Sequence, residues 1–426
     1  MKDKRVYWIW LANACGAGSR CAVRLCGHFG DAESIYKAKE KQFKASEVKI
    51  DKKVLARLLD KDLTYATEIL NWCNTMGVDV LCPGYGGYPK NLTCLTDAPM
   101  VLYSLGEVPD FTEIFCCAIV GTRKMTEYGK KCAVNFGYNL ARCGALVVSG
   151  IARGIDSAAM TAALDAGGKA VAVLGCGIDI VYPKENEDLM RRVAKNGCIL
   201  TEYAPGTSPY GPNFPVRNRL ISALSQAVLV VEGNMRSGAL ITARHAFYQN
   251  KDIFAVPGHI DDHSSDGTNS LIKGGVQAVT DPLEIVEKYE YLYPHLLEAR
   301  KVSDNIPDNY ELPVKEKKQK VDKKPFAETE KNEKEKEEKL KVQAKAVDFE
   351  SLSEIDMKVY RTMKPDVPML PDELVTADVA ISQVMVSLTM LELAGAVEAG
   401  AGGYFVRHAD DEEVGEPSVN EFDEGF

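Results

Sequence analysis

The chain has 426 residues, 46% of them apolar, which is enough for two to four domains with real cores. No run of about 18 apolar residues occurs, and the opening MKDKRVYWIW lacks signal-peptide order, so a soluble, cytoplasmic protein with no membrane partner is expected. The net charge of −10 does not exclude a nucleic acid, because residues 347–426 hold 4 basic against 18 acidic side chains and residues 1–346 are net positive.

Residues 1–75 read as helices. Trp8, Leu11, Ala12 and Cys15 lead into Gly16-Ala-Gly18, and Cys21, Val23, Leu25 and Phe29 follow. A Gly-x-Gly turn between two short helices fits a helix-hairpin-helix (SAM-like) region whose turn amides hold a DNA phosphate. It fits a plain tight helix–helix turn better. Residues 76–298 read as one α/β domain. Its short, apolar candidate strands are 115–120, 145–149, 170–174, 199–202, 227–231 and 252–256, as expected for parallel strands covered on both faces. Tyr128, Cys132, Phe136 and Leu140 predict one buried helical stripe, and Ala158, Ala159, Ala162, Ala163 and Ala166 a close-packing small-residue face. The alternation predicts an extended Rossmann-like parallel sheet. Residues 299–347, rich in Lys and Glu, read as a charged linker. Residues 348–408 suit three helices and a hairpin, a winged helix, whose third helix 381–393 has no Lys or Arg and so favours protein contact over DNA. Residues 409–426 read as an acidic disordered tail, either solubilising or competing for a basic crevice.

Twelve cysteines with no CxxC pair read as reduced core thiols. His259-Ile-Asp-Asp-His263 reads as a polar loop, with a metal site as the alternative. Neither a metal nor a cofactor is expected. Four segments follow predicted strands: Gly121-Thr122-Arg123, Ser149-Gly150 through Arg153-Gly154 to Asp156, Phe214-Pro215-Val-Arg217-Asn218-Arg219, and Glu232 to Ser237-Gly238. Loops at the carboxyl ends of parallel strands gather into one crevice. There, glycines let backbone approach an anion and the arginines supply bidentate charge. No Walker A motif, dinucleotide fingerprint or nucleophilic triad is present. Asp156, Glu202 and Glu232 are the only acid/base candidates, and each reads better as a loop-orienting group. The segments therefore suit phosphate binding without cleavage.

These motifs, together with Ala118-Ile-Val-Gly-Thr-Arg-Lys124, Ser237-Gly-Ala-Leu-Ile-Thr-Ala243, Phe254-Ala-Val-Pro-Gly258 and Gly267-Thr-Asn-Ser-Leu-Ile272, resemble the DNA-processing protein A (DprA/Smf) family in order and spacing. The resemblance covers roughly residues 115–280. It implies an extended Rossmann-like fold that binds single-stranded DNA, often as a homodimer. It also implies loading of RecA onto DNA coated with single-strand-binding protein during natural transformation. By motif, Arg123, Arg217 and Arg219 map onto the family's arginines. Met160 stands where the family commonly has histidine, which makes a latent enzymatic role less expected. The alternative function is a Rossmann-like nucleotide enzyme such as a nucleoside monophosphate phosphoribohydrolase.

Overall fold

The computed structural model describes residues 3–296 and 353–363 and separate positions between 369 and 407, among them 396–399 and 405–407. The chain divides into two compact units, Met1–Glu316 and Lys317–Phe426.

The first unit opens with α1 (Arg5–Cys15), α2 (Arg20–Phe29), α3 (Ala32–Lys37), α4 (Glu40–Ala45), α5 (Lys52–Leu59) and α6 (Thr64–Met76). Side-chain caps set several starts. Ser19, Asp31 and Asp51 each accept a hydrogen bond from a first-turn amide of α2, α3 and α5. Trp8, Ile9, Leu25, Ile35, Phe43 and Leu58 bury the inner faces, in an apolar core that runs without a break into the sheet.

That sheet has nine strands: β1 (Asp79–Leu81), β2 (Leu102–Gly106), β3 (Cys116–Val120), β4 (Leu146–Ser149), β5 (Ala170–Val173), β6 (Gly197–Thr201), β7 (Ala227–Val230), β8 (Asp252–Ala255) and β9 (Gln277–Ala278). Their order is β1-β2-β6-β5-β4-β3-β7-β8-β9. Neighbours from β6 through to β9 pair in parallel, while β2 adds antiparallel to β6 and β1 antiparallel to β2. The six central strands fall within two residues of their expected bounds. Helices α7 (Glu127–Arg142), α8 (Ile155–Asp165), α9 (Glu187–Lys195), α10 (Asn213–Ala223) and α11 (Gly238–Tyr248) follow β3 to β7 in turn, and α12 (Asp266–Lys273) and α13 (Pro282–Tyr289) flank β9.

Two helix expectations need correction. In α7 the buried residues include Gly129, Ala133, Phe136, Gly137 and Leu140, while Tyr128 is exposed and its hydroxyl donates to the Pro257 carbonyl at 2.7 Å. Strict steps of four drift off a 3.6-residue turn, so a stripe drawn at that spacing leaves the core at one end. The alanine face of α8 packs on a helix as well as on the sheet. A Cβ added at Gly137 of α7 would lie 2.3 Å from the Ala159 carbonyl, so these two helices meet at backbone contact. Also, the Phe214–Arg219 segment, expected as a loop, forms the first turns of α10. Pro215 is tolerated there because first-turn amides have no intrahelical partner.

In the second unit, the helix Glu354–Thr362 and the antiparallel pair Val397–Ala399 and Phe405–Arg407 are described. Val359, Tyr360, Leu374, Val384, Leu388 and Leu391 share its apolar core. The expected linker 299–347, the expected tail 409–426 and most of the expected helix 381–393 lie outside the described residues. All twelve cysteines are free thiols, and no cluster of three or more metal-ligating side chains occurs among the described residues.

Candidate nucleic-acid interface

The chain leaves β3 toward α7 and, next door, leaves β7 toward α11. Adjacent strands whose connections part in this way open a crevice at their carboxyl ends. Here the crevice is a cavity of about 450 Å³. Gly121, Thr122 and Arg123 line one side, Phe214, Pro215, Arg217 and Asn218 of α10 the next, and Asn234, Arg236, Ser237 and Gly238 the far side. Segments more than 100 residues apart in sequence thus share one wall system.

Backbone geometry explains the glycines. A Cβ at Gly121 would lie 2.8 Å from the Glu232 carbonyl, which also accepts from the Thr122 amide at 2.7 Å. Gly154 has φ +79°, and a Cβ there would lie 2.2 Å from the Thr122 carbonyl, which accepts from the Ile155 amide at 3.2 Å. Gly154→Ala should therefore cost about 1–3 kcal/mol of stability and shift the 121–123 loop, readable as a lower unfolding midpoint. Ile151, a buried β-branched residue at φ +52°, marks the same turn as strained. Asn186 holds it by donating to the carbonyls of Ile151 at 2.9 Å and Ala152 at 3.3 Å.

The charged groups divide sharply. Arg123 is exposed, and its guanidinium sits 5.2 Å from the centre of the Phe214 ring. Arg217 lies 5.8 Å from the same ring, so two arginines flank one aromatic face system. Arg217 itself is buried and donates to the Val173 carbonyl, and its Nε has no hydrogen-bond partner. Burial lowers its pKa to about 10, against the pull of Asp156, and burial raises the Asp156 carboxyl against the pull of Arg217. Gly150 is required above this pair, since a Cβ there would lie 2.1 Å from the Arg217 guanidinium. The Gly150 amide donates to Asp156 at 3.1 Å.

Other expected site residues do not face the crevice. Arg219, two positions beyond Arg217, projects about 200° away around the helix. There it pairs with Glu202 at 2.7 Å and approaches Asp97 at 3.4 Å, with a side chain only 3% exposed. It ties α10 to β6 and to the α1–α2 turn, whose Gly18 amide donates to the same Glu202 at 3.2 Å. That amide is thereby committed to a protein carboxylate, which favours the plain tight turn over a phosphate-holding hairpin. Ser149 is fully buried and donates to the Ile119 carbonyl at 2.6 Å, locking β4 to β3. Arg153 is exposed but pairs with Glu185 at 2.6 Å, in an annex beside Tyr182 and Phe214.

The acids behave as scaffold. Glu232 accepts from the Thr126 amide at 2.9 Å, the Thr126 hydroxyl at 2.7 Å and the Ser264 hydroxyl at 2.8 Å. Asn218 donates to the Gly238 carbonyl at 3.2 Å and so links α10 to the start of α11. Asn234 and Arg236, both exposed, line the crevice although only the flanking Ser237 and Gly238 were singled out from sequence. Their signal was present: they stand in the same loop after an apolar strand.

The family model described as DNA recombination-mediator protein A matches residues 79–290. DNA processing protein DprA of Streptococcus pneumoniae is 40% identical over 204 residues, 48% of this chain and 72% of that protein. The chain belongs to the DprA/Smf family. Protein Smf of Synechocystis is 34% identical over 283 residues, 65% of this chain and 70% of that one. The X-ray structure of DprA from Streptococcus pneumoniae superposes with a TM-score of 0.59 at 29% identity, covering 67% of this chain and 98% of that one. The family match spans β1 to α13, and so contains every wall of the crevice.

Proposed function

We propose that the chain binds single-stranded DNA along the crevice and acts, without cleaving it, as a mediator that loads RecA onto strands coated with single-strand-binding protein during DNA uptake, working as a homodimer. The observation that carries this reading is the Arg123–Phe214–Arg217 arrangement at the head of α10. Guanidinium groups beside a half-buried aromatic ring that lines the cavity suit a phosphate next to an unstacked base, a combination a single strand offers and a closed duplex does not. The amino ends of α10 and α11 open on the same cavity and turn their positive dipole ends toward it. Names carried by the relatives, DNA processing protein and recombination mediator, point the same way.

Family membership supports the reading beyond simple strand binding. A filament assay tests it. With RecA, ATP and strands precoated with single-strand-binding protein, adding the protein should shorten the lag in RecA assembly. Tight strand binding with an unchanged lag would reduce the function to binding alone.

A further inference from the structure

Outside the crevice, the turn between α1 and α2 holds two thiols against each other. Cys15 is the last residue of α1 and Cys21 the second of α2. Across the Gly16-Ala17-Gly18-Ser19-Arg20 connection, the Cys15 thiol donates a hydrogen bond to the Cys21 sulfur. Both side chains are half-buried, while Gly16, Ala17 and Arg20 between them are exposed, so a small solute reaches the pair. Gly16 at φ +82° and Gly18 at φ +68° give the connection a backbone freedom that other residues lack. Shortening the thiol contact to a sulfur–sulfur bond of about 2 Å therefore falls on that connection rather than on the helices.

The two thiols are not equivalent. Cys21 lies in the first turn of α2, near the positive end of the helix dipole, with Arg24 one turn further on. The hydrogen bond from Cys15 holds the Cys21 thiol below its ordinary value, and Arg24 pulls the same way against burial. The same contact, together with burial, pushes Cys15 up. Cys21 is thus the readier thiolate and Cys15 keeps its proton. Cys26, the third thiol of this region, turns its proton to the Met100 sulfur at 3.6 Å. Cys94, the one exposed cysteine of the twelve, donates to the Asn91 carbonyl at 3.2 Å.

We propose that Cys15 and Cys21 form a dithiol site for oxidation by a peroxide, with Cys21 the attacking sulfur and Cys15 the resolving one. The Cys21 thiolate attacks one oxygen of hydrogen peroxide, the O–O bond breaks, and Cys21 becomes a sulfenic acid as hydroxide leaves. The Cys15 sulfur then attacks the Cys21 sulfur. The S–S bond forms, the S–O bond breaks, and water leaves with the Cys15 proton. The two cysteines together give up two electrons, and the peroxide takes them. The bridge crosses the turn whose Gly18 amide donates to Glu202 at 3.2 Å. A Cβ on Gly18 would lie 3.0 Å from the Val216 side chain, so this turn rests directly on α10, the helix that carries Arg217. Oxidation fastens that resting place covalently.

The test treats the reduced full chain with a small excess of hydrogen peroxide, alkylates the remaining thiols and maps tryptic peptides by mass. Trypsin cuts after Arg20 and Arg24, so Cys15, Cys21 and Cys26 fall on separate peptides. Peptide 6–20 should appear joined to peptide 21–24, two hydrogens lighter than their sum and separated again by dithiothreitol. The join should form about tenfold faster than oxidation of Cys94, although Cys94 is the more exposed. In Cys15→Ser, dimedone should trap a sulfenic acid on Cys21, whereas Cys21→Ser should leave Cys15 unlabelled. The oxidised wild type should unfold about 3–6 °C above the reduced chain. Oxidation of Cys94 ahead of an intact Cys15 and Cys21 would overturn the site. A join between Cys15 and Cys26 instead would overturn the assignment of Cys21.

Discussion

Arg219→Ala is expected to lower the stability of the folded chain by about 3–5 kcal/mol and its unfolding midpoint by on the order of 10 °C. The change removes the partner of Glu202, whose side chain is 3% exposed, and strands a buried carboxylate among β6, α10 and the Gly18 turn. The loss should depend on pH. Burial already raises the Glu202 carboxyl above its ordinary value, with Arg219 opposing that rise. Without Arg219 the folded pKa climbs further, so the unfolded chain releases its proton first. The penalty is accordingly small in acid and grows as pH rises through and above the ordinary glutamate range near about 4.3. Calorimetry of both proteins across that window would check it. An unchanged midpoint at neutral pH would show that Arg219 is not the tie between α10 and the α1–α2 turn.

Arg123→Ala should do the opposite: leave the unfolding midpoint unchanged and weaken single-strand binding about tenfold at physiological salt. Arg123 is exposed, and among the described residues it makes no ion pair, so little stability is lost with it. Each phosphate contact removed should reduce the slope of log K against log salt by about 0.7. All strand sequences should lose affinity alike, because a phosphate contact carries no base information. Wild-type affinity with a wild-type slope would place the strand elsewhere.

The two arginines of one motif, Arg217 and Arg219, mark the boundary of what the sequence reveals. The central strands were legible because short apolar runs between glycines and helix patterns have few other uses. The crevice was legible because their following loops all carried Gly, Arg or Ser. The separation of Arg217 from Arg219 was not, since it depends on the segment being helical, whereas it was expected as a loop. Residues i and i+2 share a strand face or a loop but lie on opposing sides of a helix. Glu202 was rightly read as an orienting group, though its partners, Arg219 and the Gly18 amide 184 residues away, come only from the fold. The antiparallel addition of β2 and β1 was equally hidden, because pairing direction leaves no trace in strands this short.

Photocrosslinking tests the central claim most directly. A single strand substituted with 4-thiothymidine would be irradiated on the full chain and the attached peptides mapped. Attachment within residues 121–126, 211–218 and 234–238, lost when unlabelled strand competes and reduced in Arg123→Ala, is the predicted result. Attachment confined to surfaces outside those three segments would contradict the crevice as the strand-binding site.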